Sequence, residues 1–148
     1  MAAPKKTKPT TRFPATVFLT ALMAAPLLVA PSIVRGLAAE AWVRHYAALD
    51  ALPTPRRATA REIVARADRA VWYLAPLPQA SHAAMTALEI GERLEHQDHD
   101  RDAAILIYQG VRASCVRVKE RLFAGGGFGV IEARAAALEL SARRGEGQ

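Results

Sequence analysis

Apolar side chains recur along most of this chain with the three- and four-residue spacing of an α-helix, and β-branched and aromatic residues nowhere cluster with the period of two that marks a strand. After an unbroken apolar opening, residues 37–49 place Ala39, Trp42, Tyr46 and Leu49 on one helical face. Leu52-Pro53-Thr54-Pro55 then breaks the pattern, because each proline lacks an amide donor and pushes its predecessor out of the α region. Thr59-Ala60-Arg61-Glu62 has the composition of a capping box, so a helix is predicted to begin there, striped by Ile63, Val64, Ala67, Val71 and Leu74 and ended by Pro76 and Pro78. Ser81 is the candidate cap of the next helix, which carries Met85, Leu88, Gly91 and Leu94. Gly91 costs that helix about 1 kcal/mol relative to alanine, so its expected benefit is close approach of a neighbouring helix. Residues 101–122 have the cleanest seam, with Ala104, Tyr108, Val111, Cys115, Val118 and Leu122 alternating spacings of four and three. The glycine-rich run 124–129 stops it, and Ile131, Ala135, Leu138 and Ala142 form the inner face of a last helix.

The opening segment has a different character. Residues 13–34 hold 22 positions without a charge, and an unbroken helix of that length would span about 33 Å against a bilayer core of about 30 Å. Lys5, Lys6, Lys8 and Arg12 precede it with no acid among them, which predicts a cytoplasmic N-terminus and an extracytoplasmic remainder. Pro14 fits a first turn, whereas Pro26 and Pro31 are expected to kink or break the outer half. Arg12 and Arg35 bracket the segment, and Trp42 and Tyr46 either sit at the membrane interface or seed the core of the domain that follows. The rival is a cleaved signal peptide with Ala39-Glu40-Ala41 as the small-residue site, which would make the product secreted; the apolar run exceeds the usual ~7–15 residues of that class. The expected organisation is a basic tail (1–12), a transmembrane anchor (13–34), a juxtamembrane helix with a proline-rich linker (35–56) and a helical domain (57–148). The fold class is all-α, one transmembrane helix followed by a small bundle of three to five helices.

The net charge of +6 at first suggests nucleic acid, but five of the 20 basic residues flank the apolar run. Residues 36–148 carry the other 15 against all 14 acids, too even a balance to neutralise a phosphate backbone, so no nucleic-acid partner is expected. A single cysteine excludes an intrachain disulfide and a CxxC pair. The abundance of alanine and arginine has a bacterial look.

Residues 87–110 resemble one tetratricopeptide unit, since Ile90-Gly91, Leu94, Asp98, Ala103, Ile107 and Gly110 fall at the small and large packing positions of that family. The resemblance departs at Ala87, where the family has an aromatic, and at Cys115, where it has a proline. It implies a helical hairpin with a partner-binding groove; because a single unit cannot bury its own faces, flanking helices or a partner must complete it.

Candidate chemistry is sparse. His96, Asp98, His99 and Asp100 are the only cluster with metal-ligand character. Asp98, Asp100 and Asp102 imitate the opening of a calcium loop, but Ala103 and Gln109 stand where its glycine and bidentate glutamate belong, and a zinc site would need further ligands such as His82 or His45. A solvated turn whose aspartates cap the next helix accounts for the same residues. The glycine run lacks the strand and the Gly-Lys-Ser/Thr of a phosphate loop, Cys115 sits on an apolar seam, and Glu89, Glu92 and Glu95 form a face expected to be solvated. Arg112, Arg117, Lys119 and Arg121 cluster near a helix end and are candidates for touching an acidic partner or anionic lipid. No cofactor motif and no catalytic constellation stand out. The sequence therefore points to a non-enzymatic interaction module on the inner membrane, a scaffold or small accessory subunit of an envelope complex, with an unknown protein partner and room for homo- or hetero-oligomers. The alternative is a secreted or periplasmic metal sensor built on the 96–102 turn.

Overall fold

The computed structural model describes residues 15–75, 77–122 and 127–145, with side chains from Pro26 onward except those of 27, 28, 121 and 122. Among the described residues there are five helices and no strand: α1 (Ala15–Ala48), α2 (Arg56–Leu74), α3 (Pro78–His96), α4 (Arg101–Leu122) and α5 (Phe128–Arg144). The chain divides into two compact units, Met1–Pro31 and Ser32–Gln148. The first contributes the opening of α1. Among the described residues no helix is long and apolar enough to cross a membrane. Much of the anchor expected at 13–34 lies outside the described residues, namely positions 13 and 14 and the side chains of 15–25, 27 and 28.

Helix α1 continues through Pro26 and Pro31, where a kink or break was predicted, so neither proline breaks it. A proline removes its own amide bond and crowds the preceding turn at a cost of about 3 kcal/mol, but it leaves the bonds of its neighbours intact. The juxtamembrane helix expected at 37–49 is thus the second half of a 34-residue helix. It also belongs to the folded unit: Ala39, Val43, Tyr46 and Leu52 are buried in the same core as α2 and α3, so that unit starts at Ser32, well before the boundary of 57 read from the prolines.

Within the second unit each helix packs on the next and on the next but one. Helix α2 lies on α3 and α4, α3 on α4 and α5, and α4 on α5. Gly36 of α1 meets Leu74 and Tyr73 of α2, and Arg93 of α3 caps the end of α1. Together they make an all-α bundle. Of the positions that suggested a tetratricopeptide unit, Ile90, Gly91, Leu94, Ala103 and Ile107 are buried and Asp98 and Gly110 are half-buried.

Three close approaches set the spacing of the stack. A Cβ on Gly91 would stand 2.5 Å from the Tyr108 ring, one on Gly36 would stand 2.6 Å from Leu74, and one on Gly110 would overlap Val64. Gly91 has the role predicted for it. The α4 seam is buried from Ala104 to Val118, and Ile131, Ala135 and Ala142 of α5 are buried with Leu138 half-buried beside them. Gly127, at φ 78°, turns the chain into α5 in the left-handed region that glycine tolerates best, while residues 124–126 of the glycine run lie outside the described residues.

Two helix starts differ from expectation. Helix α2 begins at Arg56, directly after Pro55, whose carbonyl accepts from the amides of Ala58 and Thr59. Thr59 is therefore inside the helix, its hydroxyl donating back to the Pro53 carbonyl at 2.8 Å, and Glu62 is free to bind elsewhere. Helix α3 begins at Pro78, three residues before Ser81. Pro78 lies in the first turn of α3, where its fixed φ fits and its missing amide would have had no partner, whereas Pro55 is the extended residue that precedes the first turn of α2.

Candidate functional site

Residues 32–48 of α1 have two contrasting faces. One carries Gly36, Ala39, Val43 and Tyr46 into the core, together with Glu40, a buried carboxylate that Arg44 contacts at 2.5 Å and His82 at 3.4 Å. The other presents Val34, Leu37, Ala38, Ala41, Trp42 and His45 to solvent. Val34 is 63% exposed, and Leu37 and Trp42 are each 43% exposed, so this face lacks the charge that normally covers the outside of a terminal helix in a stack. Ala38, Ala41, Trp42 and His45 bound a shallow apolar recess of about 470 Å³.

Trp42 is held from the core side. Its ring meets His45 edge-on at 5.7 Å, lies 5.9 Å from the Tyr46 ring, and carries the Arg66 guanidinium 5.0 Å above it. Arg66 donates to Glu62 at 3.3 Å, and the Tyr46 hydroxyl donates to the same carboxylate at 2.9 Å. Burial, and then the bond to the Glu62 carboxylate, raises the Tyr46 phenol above its ordinary value. The two aromatics paired in the sequence thus divide their roles, with Tyr46 7% exposed in the core and Trp42 on the surface.

The other sequence candidates are dispersed. Arg35 stands in a groove between α1 and α2, Arg12 lies outside the described residues, and so does the side chain of Arg121. Arg112 pairs with Glu139 at 3.5 Å, Arg117 with Asp68 at 2.5 Å and Lys119 with Glu132 at 2.7 Å, so these cations face three different carboxylates, although Arg112 and Arg117 line one shallow recess.

The 96–102 turn edges a polar recess of about 630 Å³ lined by Arg56, Asp98, His99, Asp100, Arg101 and Asp102. Asp98 pairs with Arg56 at 3.4 Å and Asp102 with Arg57 at 2.8 Å, while Asp100 accepts from the Ala103 amide at 3.1 Å as the cap of α4. His96 and His99 are exposed. Among the described residues no three His, Cys, Asp or Glu side chains are placed to hold a metal ion.

Of the α3 glutamates expected to be solvated, Glu89 is exposed, whereas Glu92 binds Arg134 at 2.9 Å and Glu95 accepts from the Tyr108 hydroxyl at 3.0 Å, both half-buried. Burial pushes the Cys115 thiol up to about 12. The outer face of α1 was not singled out from sequence, although Val34, Leu37, Ala41 and His45 are spaced by three and four opposite the Ala39, Val43 and Tyr46 stripe.

Compared with protein-family models, curated proteins and solved structures, the chain matches none.

Proposed function

We propose that this chain is a membrane-anchored helical interaction module, a scaffold or small accessory subunit of an envelope complex, which acts by binding a protein partner through the outer face of α1. The observation that carries this reading is the uncharged face of Val34, Leu37, Ala38, Ala41, Trp42 and His45 on the first helix of the stack. Stacked hairpins need a polar outer face at their ends to stay soluble alone, and exposed apolar patches rimmed by charge mark interaction sites. Trp42, braced by Arg66 and Tyr46, has the large and rigid contact area typical of a binding anchor.

The anchor is supported by the 22 uncharged residues at 13–34 and the four cations before them, with the N-terminus cytoplasmic and the second unit extracytoplasmic. That uncharged run leads in sequence directly into the exposed face.

A photo-activatable side chain placed at Leu37 or Ala41 in native membranes is expected to give a discrete cross-linked product. The same group at Glu120 of α4 is not. Equal labelling at all three positions, or none at any, would remove the interaction face. Release of the full-length chain by alkaline carbonate would remove the anchor, independently of the cross-linking result.

A further inference from the structure

Arg35 from α1 and Arg66, Arg69 and Tyr73 from α2 line one groove, of about 420 Å³, whose wall on the α1 side is Ala38 and Ala39. Positions 66, 69 and 73 share a face of α2 because they are spaced by three and four. The groove is open because small residues line α1: Gly36 lets that helix approach so closely that an added Cβ would stand 3.0 Å from the Tyr73 Cβ. No carboxylate lines it. Glu62, the acid bonded to Arg66, is already shared with the Tyr46 hydroxyl.

Elsewhere in this unit arginine is usually consumed. Arg44, Arg56, Arg57, Arg112, Arg117, Arg134 and Arg143 all contact carboxylates, and Arg93 and Arg101 donate to backbone carbonyls; Arg61 and Arg144, which line no groove with a second arginine, are in no ion pair among the described residues. Among the described residues Arg35 and Arg69 are in no ion pair, although they flank a groove that already holds a third guanidinium in place. Gathering three guanidinium groups is electrostatically unfavourable unless an anion joins them. Their planar forks match the oxygens of a tetrahedral phosphate, each guanidinium offering paired donors and the phosphate oxygens accepting from several at once.

We propose that the groove between α1 and α2 is a binding site for a single phosphate group, held by Arg35, Arg66 and Arg69 with Tyr73 at its edge. A duplex or long polyanion does not fit this reading, since residues 36–148 are nearly neutral and offer no track of cations beyond the groove. The phosphate belongs either to a soluble phosphate ester or to a lipid headgroup. Arg35 directly follows Val34, the last residue of the uncharged run, so the lipid source rests on the anchor proposed above, whereas the site itself does not.

The test uses the full-length chain in a maltoside detergent, titrated calorimetrically with pyrophosphate and with inorganic phosphate. In parallel, the chain is released from nanodiscs of mixed phosphatidylcholine and phosphatidylglycerol and weighed by native mass spectrometry to count retained anionic lipid. Arg35→Gln/Arg69→Gln is expected to weaken whichever ligand binds by about tenfold or more, roughly 1.4 kcal/mol. Arg35→Lys/Arg69→Lys, which keeps the charge but not the forks, should fall between, and Arg57→Gln outside the groove should match the parent. Both arginines are exposed, so the helical circular dichroism of the variants should equal that of the parent, and the lysine pair keeps the test decisive if the glutamine pair is misfolded. Saturable pyrophosphate binding assigns a soluble source. Retained anionic lipid without pyrophosphate binding assigns a headgroup. Absence of both, or equal binding by parent and both double variants, overturns the site. The pyrophosphate titration makes no use of the anchor, so its failure is separate from any failure of membrane attachment.

Discussion

Gly91→Ala puts the packing argument to a direct test, because two effects of known size oppose one another. Alanine favours a helix interior over glycine by about 1 kcal/mol, so in open space the substitution would stabilise. Here its Cβ would stand 2.5 Å from the Tyr108 Cε1, 3.1 Å from Cδ1 and 3.3 Å from Cζ, whereas carbon contacts normally settle at about 3.5–4.0 Å. The ring has no room to yield. Tyr108 is fully buried, and its hydroxyl donates to Glu95 at 3.0 Å, which ties the far end of the ring to α3. Overpacking of a filled core costs about 1–3 kcal/mol, and a pinned ring belongs in the upper part of that range. The net expectation is a loss of ~1–2 kcal/mol once the propensity gain is deducted. The companion measurement is Gly91→Ala in a Tyr108→Leu background, where the clash is gone and the same substitution should stabilise by up to about 1 kcal/mol. Urea unfolding of the full-length chain in maltoside, followed by helical circular dichroism, gives all four corners of the cycle. A gain in stability from Gly91→Ala in the parent, or the same sign in both backgrounds, would refute the claim that this glycine exists to admit the Tyr108 ring.

Arg93→Ala should cost about 2 kcal/mol in the same assay, because the half-buried carbonyls of Tyr46, Ala47 and Leu49 lose one charged donor; Arg93→Lys should recover only part, having no fork to span them. Cys115 should ignore Ellman's reagent at pH 8 in the folded chain and react fully in denaturant, since burial pushes its thiol up to about 12; rapid labelling of native protein would contradict the packing of the α4 seam. Glu139 is held below the usual carboxylate range by the Gln109 amide first and then by Arg143 and Arg112. A depressed folded value adds stability above the unfolded value that disappears as pH falls through the folded one, so acid titration of stability should be shallower for Glu139→Gln than for the parent. An identical acid limb in the two proteins would count against those bonds.

Much of the architecture was legible from periodicity. The helix at 101–122, the inner stripe of the last helix and the purpose of Gly91 follow from spacing alone, and all three match what is observed among the described residues. Reading the prolines was less successful. Pro26 and Pro31 sit inside a continuous helix, Pro55 directly precedes α2 and Pro78 sits in the first turn of α3, because proline's missing amide is tolerated at a helix start. The Thr59 box failed because the helix had already started directly after Pro55. The basic cluster at 112–121 looked like a patch in one dimension, yet three of its members turn to different carboxylates on α2 and α5.

What the sequence by itself determined is the class of element and its inward face, since the 3.6-residue repeat and the burial of apolar side chains are local and near-neighbour effects. What only the tertiary structure decided is which faces remain uncovered and which charges remain unspent. The outer face of α1 is a surface because its opposite side is buried in the core, and Arg35 lines one groove with Arg66 and Arg69 because Gly36 lets two helices close on one another. Those relations join residues more than thirty positions apart, and no spacing rule along a single helix encodes them.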